Sequence, residues 1–114
     1  MTDCAFCSIA SKRLPAKIVY EDERVVAFED IHPQAPVHVL VIPRKHIPTS
    51  LDIVQEDHDL IGHMLRTASE IARQRNIAQR GFRLVMNTNH EAGQTVYHIH
   101  IHVLGGRAMH WPPG

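Results

Sequence analysis

The run His98-Ile99-His100-Ile101-His102-Val103 alternates imidazole and aliphatic side chains at every second position. That is the period of an extended strand, so the three imidazoles share one face while Ile99, Ile101 and Val103 take the other. Neighbouring histidines then lie about 6.6 Å apart along the backbone, from a rise of about 3.3 Å per residue, and their side chains can converge on one small ligand. A solvated strand face does not single out one residue type, which makes it a poor account of the pattern. Two chemistries fit. Two histidines at i and i+2 can bind one metal ion if another ligand arrives from elsewhere. Alternatively, imidazole titrates near neutrality and its two nitrogens differ, so a backbone carbonyl can fix one while the other attacks or shuttles a proton. Three in a row favours the second, a mechanism divided among several imidazoles.

The rest of the chain limits what that strand can belong to. Its 114 residues, 44% hydrophobic, suit one compact domain over 1–114, with 105–114 as an irregular tail rich in proline and glycine. Twelve basic residues balance twelve acidic ones. That balance supplies no broad attraction to nucleic acid or to a membrane surface, and small ligands fit better. The longest apolar stretch, Val39 to Ile42, is far short of the roughly 20 residues of a membrane-spanning helix, and no basic-then-apolar leader opens the chain; the expectation is a cytoplasmic protein. Both cysteines sit in Cys4-x-x-Cys7, which is half a metal site or a redox pair rather than a disulfide scaffold. A redox pair would belong between a strand and a helix of a βαβ unit, and none is legible at that position.

Phe6, Ile9 and Ala10 suit a short amphipathic helix over 6–13, ended by Leu14-Pro15 because the residue before proline leaves the helical region. Ile18-Val19-Tyr20 starts a strand, Glu21-Asp22-Glu23 turns it, and Arg24 to Asp30 returns antiparallel. Pro33 and Pro36 bracket a loop before Val37 to Ile42, a strand buried on both faces and stopped by Pro43. Leu60, Ile61, Met64, Leu65, Ala68, Ile71 and Ala72 recur at helical offsets, predicting one amphipathic helix over 55–76. Phe82 to Thr88 reads as a strand, Asn89 to Gly93 as a polar turn, and Tyr97 to Leu104 as the last strand. The order predicts an α+β fold with a mainly antiparallel five-stranded sheet, one short helix and one long one.

Gly93-Gln94-Thr95-Val96-Tyr97 followed by the alternating run and Leu104-Gly105-Gly106 closely resembles the signature of the histidine-triad (HIT) superfamily. Asp30-Ile31-His32-Pro33-Gln34-Ala35-Pro36-Val37-His38, Val41-Ile42-Pro43, Asn87 and the ending Met109-His110-Trp111-Pro112-Pro113-Gly114 are similar to the Hint branch, the purine nucleoside phosphoramidases. The resemblance spans almost the whole chain. It implies hydrolysis of adenosine or guanosine monophosphate joined through nitrogen to an amine, by way of a nucleotidyl-histidine. His100 would attack phosphorus, His102 would serve the phosphate and leaving group, and His38 and His98 would complete the histidine network. Asp30 would bind the ribose hydroxyls, Phe6, Ile9, Leu14, Phe28, Ile31 and Leu40 would line the base slot, and Asn87, Gly93, Gln94 and Thr95 would hold the phosphate. Each has an ordinary alternative, a core side chain or a turn residue.

No cofactor is implied for the chemistry. Some triad relatives bind structural zinc, and by that resemblance Cys4, Cys7, His46 and His98 would make a closed Cys₂His₂ site pinning the first helix to the sheet. The same resemblance implies a homodimer with a ten-stranded sheet, its tail reaching toward the partner's site. Two other functions stay open: a dinucleoside polyphosphate hydrolase, and a nucleotide- or zinc-binding interaction module. His32, His58, His63, His90 and His110 read as exposed or loop residues without chemistry.

Overall fold

A computed structural model of the chain describes residues 4–114; positions 1–3 of the expected domain lie outside the described residues. Five strands form one sheet: β1 (Ile18–Glu21), β2 (Val25–Glu29), β3 (Val37–Pro43), β4 (Phe82–Val85) and β5 (Ile101–Gly105). Their spatial order is β1-β2-β3-β5-β4, and every neighbouring pair is antiparallel. A short helix α1 (Ala5–Ala10) and a long helix α2 (His58–Gln74) complete the α+β architecture.

The period of two in β2 and β3 sorts their side chains between two cores. Val25, Ala27, Val39 and Val41 join Ile99, Ile101 and Val103 under Met64, Ala68, Ile71 and Ala72 of α2. Val26, Phe28, Leu40 and Ile42 face the other way, against Phe6, Ile9 and Ala10 of α1. β3 is therefore buried on both faces, as its run of branched residues predicts. His38 has the parity of Leu40, and Leu40 pairs directly with His102, so both histidines stand on the α1 side of the sheet.

Four element ends differ from expectation by three residues or more, each for a local reason. The last strand begins at Ile101, not Tyr97. β3 stops at Pro43, whose carbonyl accepts from the His98 ring at 2.7 Å, and Ile99 N–H donates to Ile47 O at 2.8 Å, so residues 98–100 bond outside the ladder. β4 ends at Val85, opposite His102, one ladder position short of the start of β5. The long helix proper starts at His58 because the Asp57 carboxylate bonds back to Val54 N–H and tightens 55–57 into a 3₁₀ turn. Helix α1 stops at Ala10, with Lys12 in the left-handed region at φ 67°.

Candidate active site

A cleft of about 450 Å³ opens on the α1 side of the sheet. Phe6, Ile9, Leu14, Phe28, Ile31 and Leu40 give it an apolar wall, and Asp30, Thr95, His100 and His102 bring polar groups to it. Few polar groups in an apolar slot is the composition of a small-molecule site. Nearly all of Ile31 is exposed, so it stands at the rim, while Phe28, Leu40 and Ile9 are buried.

Hydrogen bonds fix which nitrogen of each imidazole carries the proton. His100 Nδ1 lies 2.8 Å from the His98 carbonyl oxygen, which only accepts, so Nδ1 donates and Nε2 keeps its lone pair. Gln34 N–H donates to His38 Nδ1 at 3.0 Å, so the His38 proton sits on Nε2 and is given to His102 Nδ1 at 2.9 Å. His102 in turn carries its own proton on Nε2. The site thus holds a bare nitrogen on His100 and a proton donor on His102, with ring centroids 5.0 Å apart.

Electrostatics keep the cluster neutral. Burial pushes His100 down, against the opposing pull of the His98 carbonyl and the Asp30 carboxylate. Burial also depresses His38, with Asp30 opposing. His102 is pushed down to about 4 by burial, with His100 and His38 adding to the effect and Asp30 opposing it. Asp30 Oδ2 approaches His38 Nε2 at 3.4 Å, while Oδ1 accepts from His32 N–H at 2.8 Å.

Of its two expected places, His98 takes the one beside the cysteines and not the one in the cleft. Its ring joins neither the cleft nor the His38–His102 pair. Nε2 donates to Pro43 O, which leaves Nδ1 bare and aimed at Cys4 Sγ (3.4 Å), Cys7 Sγ (3.5 Å) and His46 Nδ1 (3.2 Å). To the cleft histidines it offers its carbonyl, which accepts from His100 Nδ1. Cys7 Sγ also lies 3.3 Å from His46 Nδ1, and the four donor atoms fall within 4.8 Å of one another. Around a tetrahedral zinc, bond lengths of about 2.0 and 2.3 Å require N–N edges of about 3.3 Å and N–S edges of about 3.5 Å, so this donor set fits the ion. Without a cation, the Cys7 thiol is pushed up by burial and by neighbouring Cys4.

Asp30, His38 and His102 also bring ligand atoms within 4.8 Å, but their hydrogen bonds suit a proton relay better. A neutral imidazole that already accepts an amide proton at Nδ1 has no second lone pair to offer a metal.

The expected phosphate loop is placed only in part. Thr95 lines the cleft; Asn87, Gly93 and Gln94 do not. Gly93 N–H and Gln94 N–H bond to the carbonyls of His90 and Asn89 within the loop. The Gln94 carboxamide is buried, accepting from Asn89 N–H and donating to the carbonyls of Pro48 and Val96. Gln94 therefore builds the loop and ties it to Pro48, because both of its side-chain N–H groups and its carboxamide oxygen are engaged there. His63 is also corrected: it is half-buried on α2 and lies 2.6 Å from Asp22 Oδ2, fastening the helix to the β1–β2 turn. Gln34 went unnoticed in the sequence, since its contribution is a main-chain N–H.

Comparison with known proteins shows the family and the fold. The model of the HIT domain family matches residues 11–109. An uncharacterized HIT-like protein of Synechocystis is 51% identical over 112 residues, covering 98% of this chain and 97% of that one. The crystal structure of a HIT family hydrolase from Legionella pneumophila superposes with a TM-score of 0.97 at 49% identity, covering 98% of this chain and all of that one. A HIT family hydrolase from Clostridium thermocellum gives 0.93 at 44%, covering 96% of each chain.

Proposed function

The chain belongs to the HIT domain family, and from that premise we propose that it hydrolyses the P–N bond of purine nucleoside phosphoramidates, AMP or GMP carried on an amine. The observation that carries this reading is the pairing of a bare His100 Nε2 with a protonated His102 Nε2 at an apolar cleft that also holds a carboxylate, Asp30.

His100 Nε2 forms a bond to phosphorus as the P–N bond breaks, its ring keeping the Nδ1 proton and so becoming a nucleotidyl-imidazolium, and the departing amine takes the proton of His102 Nε2. The negative charge left on His102 is balanced by that cation, with ring centroids 5.0 Å apart. Water then attacks phosphorus and returns a proton to His102 as the P–N bond to His100 breaks, releasing the nucleoside monophosphate. Depressed imidazole basicity serves this sequence, because a protonated His100 has no lone pair to attack with. The planar base enters between Phe28, Leu40 and Ile9, and Asp30 accepts from the ribose hydroxyls. Thr95 donates to the phosphate.

Cys4, Cys7, His46 and His98 would hold zinc, which would supply a cross-link between α1 and the residues beside β3 and β5, with no open position for substrate. We read the chain as a homodimer through β4, an edge strand of the sheet, and light scattering at twice 12.9 kDa checks it. Among the described residues no helix is long and apolar enough to cross a membrane.

The test offers an adenosine phosphoramidate with a fluorogenic amine and, separately, a dinucleoside polyphosphate. Release of amine by the wild type, loss of release in His100→Ala, and an acid-labile nucleotidyl adduct in the wild type are expected. Preference for the dinucleoside polyphosphate would overturn the substrate assignment, and AMP binding with cleavage of neither would leave a binding module.

A further inference from the structure

The proton order in the His38–His102 pair is held by one backbone amide at His38 Nδ1, with the Asp30 carboxylate 3.4 Å from His38 Nε2 favouring the same order, and the loop carrying that amide is fastened to the tail. Pro33 and Pro36 have no N–H, so Gln34 and Ala35 supply the main-chain donors of this stretch. Gln34 uses its own on His38 Nδ1 at 3.0 Å. The loop is held from inside by His32 N–H on Asp30 Oδ1 and by Gln34 Nε2 on His32 O, 3.0 Å. It is held from outside by Arg107, whose Nε donates to Gln34 O at 3.0 Å. Next to it, Gly106 adopts φ 91° and passes so close that a Cβ there would stand 2.9 Å from Pro36 Cβ. A tail residue and a tail glycine thus brace the same four-residue loop.

The consequence is chemical. If the Gln34 N–H left His38 Nδ1, the His38 proton could move to Nδ1 and its Nε2 would become an acceptor. His102 would then carry its proton on Nδ1 and turn a bare Nε2 to the cleft, the wrong polarity for protonating a leaving amine.

We propose that Gln34, through its main-chain N–H, and Arg107, through the Gln34 carbonyl, are positioning residues that set the direction of the protons in the His38–His102 pair. The use made of that direction rests on the phosphoramidase reading; the direction itself does not.

Long-range ¹H–¹⁵N correlation of ¹⁵N-histidine-labelled protein reads the tautomers without substrate. In the wild type, His38 and His102 are both expected as Nε2–H. Gln34→Pro deletes the donor, Gln34→Ala keeps it, and Arg107→Ala removes the brace. Mixed tautomers at both histidines are expected in Gln34→Pro and Arg107→Ala, with the wild-type pattern kept in Gln34→Ala and restored by Arg107→Lys.

In kinetics, Arg107→Ala should lower kcat about tenfold for a basic alkylamine leaving group with KM little changed, and much less for an arylamine that departs without a proton. Unchanged tautomers in Arg107→Ala would overturn the proposal, whether or not Gln34→Pro folds. Wild-type protein with the expected tautomers but no phosphoramidase activity would overturn the functional reading and leave the positioning intact.

Discussion

His98 and His100 are two residues apart, both buried, and both touch the ring of Phe6, yet they serve different clusters. His98 gives its Nε2 proton to Pro43 O and turns a bare Nδ1 toward two thiols and a second imidazole. His100 gives its Nδ1 proton to His98 O and turns a bare Nε2 toward the cleft. The carbonyl each histidine finds decides which lone pair remains, and the lone pair decides the chemistry. Imidazole identity alone says little, because a ligand and a nucleophile are the same side chain anchored at opposite ends.

The largest expected effect tests that division directly. His100→Ala should lower phosphoramidate turnover at least about 10³-fold while AMP affinity stays within a few fold, because only the attacking atom is lost. His98→Ala keeps the carbonyl that orients His100. It should lose metal binding and about 10 °C of melting temperature, as a loss of about 2 kcal/mol does in a domain of this size, with the folded enzyme less than tenfold slower. If His98→Ala is as dead as His100→Ala at a temperature where it remains folded, the two clusters are not separable. Removing metal from the wild type with a chelator should reproduce the stability loss and spare turnover.

A smaller effect follows from the sign of the His102 shift. With its folded-state value pushed down to about 4, the unfolded chain binds more protons than the native one between that pH and the ordinary histidine value. Stability contributed by a neutral His102 is thus present above about pH 6.5 and falls as pH drops toward about 4, levelling off below. Urea midpoints of wild type and His102→Asn across that range should converge at low pH. Parallel curves would mean that His102 is not held neutral by the fold.

Much of this was legible in the chain. The alternating run predicts imidazoles gathered on extended backbone, of which His100 and His102 reach the cleft while His98 turns to the cysteines, and the branched run Val37 to Ile42 predicts a strand buried on both faces. The Cys4-x-x-Cys7 pair with His46 and His98 came from resemblance, and the ligand atoms meet as that resemblance implies. What stayed hidden was set by hydrogen bonds that leave no pattern in side-chain type. Nothing in the letters His98 and His100 says which carbonyl each ring finds. Gln34 acts through a main-chain N–H that every residue but proline possesses. Gln94 resembles a phosphate ligand until its carboxamide is seen spent on Pro48, Asn89 and Val96.

The smallest expected effect concerns a side chain that the two clusters share. Phe6 lies between Cys4 and Cys7 in the chain, meets His98 and His100 edge-on with centroids 6.0 and 5.1 Å away, and forms part of the cleft wall beside Phe28. A cation that fixes Cys4 and Cys7 therefore also fixes a wall of the base slot, and bound nucleotide should in turn favour the arrangement of α1 that the cation requires. Such coupling is reciprocal: whatever factor metal applies to AMP affinity, AMP must apply to metal affinity. Phe6→Leu keeps an apolar side chain but loses the ring edges, each aromatic contact being worth about 1 kcal/mol. Titration calorimetry of AMP with and without zinc should show a few-fold difference in the wild type, shrinking toward one in Phe6→Leu. Equal AMP affinities in the loaded and stripped wild type would mean that the clusters are neighbours without being partners.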